Sequence, residues 1–324
     1  MDLFQIIDDI AKVDPEVYDR FDSRRAAFRN FLGFGKKVSA AALPLAVSTL
    51  FNKAYGQSNN LPQIVVDTLN LALQLEYLEK YFYQTALASN ILNPEQTGAI
   101  NIILNDENLH INTLRGVLGT QAIADPTRAG FDYTGSQNRR RAALFPTLGG
   151  TTSPNTGTFS SVADFLTVSQ QFVDTGVRAY KGGAANLITQ KDILESALNI
   201  HSVEARHSSR IRSLRRGGIQ NTAAPKSWIT PDETTSTPAL PNNGVSGAPA
   251  SVGPYLAGTP AASFPAENNV TQGSAAVNVQ TVVTGQSFTV SGTAGAEAFD
   301  EPLDAVTVKA IAKNFAADPT ALFN

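Results

Sequence analysis

The stretch Glu107-Asn108-Leu109-His110 decides how the rest of this chain is read, together with its counterpart Glu204-Ala205-Arg206-His207. The chain has three histidines, and two of them stand three residues after a glutamate. On a helix, positions i and i+3 share one face about a turn apart, so each pair points a carboxylate and an imidazole the same way. The two pairs are separated by 97 residues, and the same offset carries further: Glu76 and Tyr83 before the first pair correspond to Val173 and Tyr180 before the second. A two-helix unit has been duplicated, with one carboxylate replaced by valine. Four helices that contribute a glutamate from two and Glu-x-x-His from the other two make the dimetal carboxylate arrangement of four-helix bundles. The sequence therefore predicts an all-α antiparallel four-helix bundle with three of the four carboxylates in their expected places.

The helices follow from periodicity and punctuation. A broad apolar stripe over 61–90 contains Leu69, Leu73, Glu76, Glu79, Phe82 and Tyr83, with Pro62 in its first turn. Asn93-Pro94 starts a second helix over about 94–117, and the short connection makes the two antiparallel neighbours. Residues 119–158 are long, polar and rich in Gly, Pro and Thr, which suits a single crossover; Arg139-Arg140-Arg141 within it reads as a solvated loop. Helices over 160–182, capped by Ser160 or Ser161 and broken by Gly182-Gly183, and over 189–215, with Thr189 as cap, complete the bundle. Arg206, Arg210, Arg212, Arg215 and Arg216 fall on or near the outer face of the last helix.

Glu76, Glu107 and Glu204 lie on stripes that must face the core, where an unpaired carboxylate costs several kcal/mol. A shared metal would answer that cost. With His110 and His207 the donor set suits iron or manganese, with zinc less suited. Glu107 and Glu204 would bridge, Glu76 would be terminal, and Tyr83 and Tyr180 would hydrogen-bond to the ligands. Three residues are candidates to replace the acid missing at Val173: Glu79 one turn after Glu76, Gln170 one turn before Val173, and the adjacent Asp174. With no replacement, a single ion held by Glu76, Glu107 and His110 remains, or a metal-free polar network. His201 has no counterpart in the first half and reads as a satisfied or surface histidine.

The remaining segments set the domain plan: 1–57, 58–218 and 219–324. The first contains Arg24-Arg25 and then the uncharged run from Val38 to Phe51, followed by Ala54-Tyr55-Gly56-Gln57. Its 14 residues fall short of the ~20 that span a bilayer. The segment resembles a twin-arginine (Tat) export signal, although Phe28 falls one place late for that motif; cleavage would leave a chain starting near Gln57 and a periplasmic or extracellular protein. Residues 219–265, rich in Thr, Pro, Ala, Asn and Ser, read as extended or disordered. Residues 276–291 suggest a hairpin and 303–316 a short helix. The tail is expected to wrap the bundle or a partner, through self-association or contact with other exported proteins.

Composition excludes several classes. The net charge of −3 argues against nucleic acid. The absence of cysteine removes disulfides, thiolate metal sites and cysteine nucleophiles.

The motifs LEYLEKYFY (75–83), DENLH (106–110), FVDTGVRAYKG (172–182) and VEARH (203–207) resemble the ferritin-like domain family that includes plant desiccation-related proteins and many exported bacterial proteins. The closing FDEPLDAV (299–306) resembles bacterial members of that family. The resemblance implies a possible di-iron centre, and a glutamate where this chain has Val173. Two functions stay open: a stress-related or structural protein with a degenerate site and at most partial metal binding, or a ferroxidase- or oxidase-type metal protein.

Overall fold

A computed structural model describes residues 61–149, 157–273, 276–281 and 290–324. The short amphipathic helix that the spacing of Leu3, Ile6, Ile7, Ile10 and Val13 suggests over residues 1–22, and the export signal, lie outside the described residues.

Four long helices form the body: α1 (Gln63–Ala88), α2 (Pro94–Leu118), α3 (Val162–Gly183) and α4 (Lys191–Arg215). Helix α1 packs chiefly on α2 and α3 on α4, so the molecule is built from the two hairpins that the duplication predicts. The starts and stops have local causes. Asn93 and Gln96 close a reciprocal capping box on α2, each side chain satisfying the other's free N–H at 2.9 and 3.0 Å. Helix α2 ends at Gly119, whose φ of 55° few other residues tolerate. Ser161 caps α3 by accepting from the Asp164 N–H, whereas α4 starts after Gln190 with no side-chain cap, so Thr189 does not serve there.

Gly182 does not break α3, which runs through it. Its role is close approach: a Cβ there would lie 1.9 Å from the Leu303 carbonyl oxygen. Behind α3, Phe82 of α1 is ringed by Tyr133, Phe159, Phe165 and Phe172 at centroid separations of 4.9–5.2 Å. The crossover supplies Tyr133 and Phe159, and Tyr133 donates its hydroxyl to the Leu78 carbonyl.

The C-terminal region is the main departure from expectation. Residues 219–273 are not a loose tail. Ile229, Leu240, Val252 and Tyr255 are buried, Leu240 and Val252 within the same apolar core as the helices and Tyr255 bonded to Gln170 and Asp174 of α3. Short elements punctuate the region: α5 (Glu233–Ser236), β1 (Leu240–Pro241) paired antiparallel with β2 (Ser251–Val252), and β3 (Thr271–Gln272) paired with β4 (Val277–Asn278). Half of the expected hairpin over 276–291 falls on residues outside the described set; the pairing seen lies earlier, at β3 and β4. Then follow α6 (Gly292–Glu297) and α7 (Ala305–Ala312), the latter within the helix expected at 303–316.

The physical reason for the order is a buried arginine. Arg178 of α3 is fully buried and donates to the carbonyls of Pro254, Leu256, Pro265, Glu301 and Pro302 at 2.6–3.2 Å. Its Nε also lies 2.8 Å from Glu267. A guanidinium has five N–H groups, and irregular Pro-rich chain offers carbonyls that no ladder uses. A second buried arginine works the same way. Arg212 was expected on the outer face of α4; it is instead buried between Asp174 and Glu233, 2.8 Å from each. Arg139 and Arg140 are exposed, as expected of a solvated loop, although Arg140 bonds the Ala317 carbonyl; Arg141 is half-buried and bonds Asn243 and Asn314. No described helix is long and apolar enough to cross a membrane.

Candidate metal centre

The middle turns of α1, α2 and α4 bring Glu76, Glu107, His110, Glu204 and His207 together in the bundle interior, all of them buried. His110 Nδ1 has three carboxylates around it: Glu76 Oε2 at 3.1 Å, Glu204 Oε1 at 3.1 Å and Glu107 Oε2 at 3.4 Å. His207 Nδ1 faces the other two oxygens, Glu107 Oε1 at 3.2 Å and Glu204 Oε2 at 3.5 Å. Each of the two glutamates thus turns one oxygen toward each imidazole. The rings stand 6.1 Å apart.

Hydrogen bonding does not account for this cluster. One imidazole nitrogen carries at most one proton, yet three carboxylates converge on His110 Nδ1. Both oxygens of Glu107, both of Glu204, and His207 Nδ1 lack a hydrogen-bond partner in spite of these short contacts. Orphaned buried acceptors are costly and rare, and a cation is the group that satisfies several at once. Ligating atoms of Glu76, Glu107, His110 and Glu204 all lie within 4.8 Å of one another. This buried acid–histidine cluster could hold a metal ion, and its oxygen and imidazole donors fit one.

Protons answer the same electrostatic problem in the metal-free protein. Burial pushes the Glu76 carboxyl up to about 8, against the opposing pull of His110. Glu79 rises well above the usual carboxylate range through burial and then the charges of Glu204 and Glu107. Burial alone would lower both histidines, but the surrounding carboxylates, Glu76 foremost for His110 and Glu204 for His207, raise them, His207 to about 12. Glu107 goes the other way: burial works against its charge, and its contacts with His110 and His207 hold it below the usual range.

Tyr180 and Tyr83 both donate to carboxylates, Tyr180 to Glu76 Oε1 at 2.5 Å and Tyr83 to Glu79 Oε2 at 2.8 Å. Of the three candidate replacements, two are not brought to the centre. Asp174 is held by Arg212, Ser208 and Tyr255, and Gln170 by Glu233, Tyr255 and Arg215. Both belong to the network that fastens the C-terminal region. Val173 is fully buried and offers no ligand. Glu79 is buried and faces Gly176 of α3. His201 bonds the Val177 carbonyl at 3.0 Å, as a satisfied histidine should.

Sequence reasoning missed Asp106. Its Oδ2 lies 3.2 Å from His207 Nε2, which leaves Nδ1 to face the centre. An aspartate next to Glu107 carries no spacing signal of its own, because adjacent helix positions diverge by about 100°.

These features define an antiparallel helical bundle with a buried carboxylate–imidazole centre at its middle. Residues 64–216 match the family described as ferritin-like domain, and the four-helix part of this chain is a ferritin-like domain. No curated protein and no solved structure matches the chain.

Proposed function

We propose that this protein binds a pair of divalent transition-metal ions, iron or manganese, between α1, α2 and α4, and that it does so after export. The observation that carries the metal reading is the set of five orphaned atoms: four oxygens on Glu107 and Glu204 and one nitrogen on His207. Glu107 and Glu204 would bridge the pair, with His110 and Glu76 toward one ion and His207 toward the other. Hard oxygen donors with one imidazole per ion suit iron and manganese. Such a pair would supply one-electron chemistry toward oxygen or peroxide, as in a ferroxidase or oxidase. The chain's own residues fix the carboxylates through Tyr180 and Tyr83, orient His207 through Asp106, and enclose the centre in apolar side chains. Export rests on Arg24-Arg25 and the uncharged run that ends at Phe51.

A second reading is favoured by Val173, fully buried where the duplication calls for an acid. In it the bundle is a scaffold for a stress-related or structural role, and the C-terminal region mediates assembly. Metal analysis separates the two. Purified protein reconstituted with ferrous or manganous ion under exclusion of oxygen, then desalted, is expected to hold about two ions per chain. Less than about 0.1 iron, manganese or zinc per chain would overturn the metal reading and leave the scaffold.

A further inference from the structure

The 97-residue offset that pairs Glu76 with Val173 also pairs Glu79 with Gly176. The second half of the duplication therefore has neither acid on this face of α3, with valine at one place and no side chain at the other, while the first half carries two acids at the matching places on α1. The structure shows where the second acid goes. A Cβ built on Gly176 would lie 3.6 Å from Glu79 Oε1 and 3.8 Å from Glu204 Oε2. Glu79 and Glu204 thus flank the space that a side chain at 176 would take. Glu204 Oε2 is also the oxygen turned toward His207.

The tyrosines give an independent observation. By the duplication, Tyr83 corresponds to Tyr180, which donates to Glu76 across the bundle. The matching target of Tyr83 would be the side chain at 173, and valine cannot accept. Tyr83 donates to Glu79 Oε2 instead. This leaves Oε1 of Glu79 as the oxygen beside Gly176 and Glu204.

Resting on the metal reading above, we infer that Glu79 is the terminal carboxylate of the ion beside His207, moved from α3 to α1, and that Gly176 is the vacated space that admits it. The centre is then complete: Glu76, His110 and one oxygen each of Glu107 and Glu204 serve one ion, and Glu79, His207 and the other two oxygens serve the second. Four carboxylates and two neutral imidazoles carry four negative charges, which two divalent ions balance. Both terminal acids come from one helix, and α3 supplies only the tyrosine hydroxyl.

The test reads ion positions, not activity. Glu79→Gln and Glu79→Ala protein, checked for an unchanged helical spectrum, are loaded with manganese and examined by anomalous X-ray scattering and metal analysis. The ion beside His207 should vanish or bind at least about 10-fold more weakly, with the ion beside His110 retained. The double variant Glu79→Ala/Val173→Glu, which puts the acid at the α3 position that the duplication assigns to it, should restore the second ion. Retention of the His207 ion at parental affinity in both single variants would overturn the inference while leaving the metal reading intact. A parent protein that takes up no metal would overturn both.

Discussion

Tyr180 on α3 places its hydroxyl 2.5 Å from Glu76 Oε1 on α1, across the bundle from its own helix. The bond fixes one oxygen of Glu76 and leaves Oε2 turned to His110. Hydrogen bonds to a ligand's far atom typically matter 10- to 100-fold in metal affinity. Tyr180→Phe should weaken the ion beside His110 by about that factor with little change in fold, measured by competition with a chelator of known affinity. Unchanged affinity would mean that packing alone orients Glu76.

Glu204 touches both halves of the centre. Glu204→Met should abolish binding of both ions, read by metal analysis after desalting. In excess chelator it should melt lower than the metal-free parent, because His207, held charged foremost by Glu204, loses that partner. An unchanged melting temperature would show that Glu107 and Asp106 satisfy His207 on their own.

The protons held by the metal-free centre set a pH dependence with a definite sign. Glu76 is raised to about 8 and His207 to about 12, so the folded chain holds protons that the unfolded chain would release. Their contribution to stability is fully present below the ordinary values of each group. It is lost as pH rises through these folded values. The metal-free melting temperature should therefore fall between about pH 6 and about pH 9. Metal binding displaces the same protons, so metal affinity should rise across that window. Glu267, raised by burial to about 8, adds the same slope with or without metal, and the difference between loaded and metal-free melts isolates the centre.

Arg178 tests the C-terminal region. Arg178→Met would leave Glu267 buried without its cation and five carbonyls without donors. Breaking a buried pair from one side costs about 3–5 kcal/mol. Denaturant melts should show a loss of that order, and limited proteolysis should cut within residues 219–302 before it cuts the helices. A bundle and tail that stay equally resistant would mean the region is held by its apolar anchors alone.

The parts that were legible in the sequence are those written in repetition. Apolar stripes, Pro62 and Asn93-Pro94 marked the helices, and the 97-residue offset singled out Glu76, Glu107, His110, Glu204, His207 and the two tyrosines. The C-terminal region was not legible, because single anchors such as Val252 and Tyr255 and backbone carbonyls facing Arg178 leave no periodic trace. Arg212 and Asp174 misled for one common reason. Each was placed by rotation about its own helix, and only the neighbouring helix shows that the two pair with each other. Glu79 was one of three candidates, and choosing it required Gly176, whose meaning lies in a side chain that is missing.

The Arg178 clasp has a consequence for the order in which the chain is made. A ribosome delivers α3 well before the carbonyls that will surround its arginine, which lie 76 to 124 residues further on. Until residue 254 and those after it have emerged, Arg178 lacks every one of the carbonyls that later surround it. A chain interrupted before residue 254 therefore leaves a charged side chain on α3 with none of the carbonyls that satisfy it.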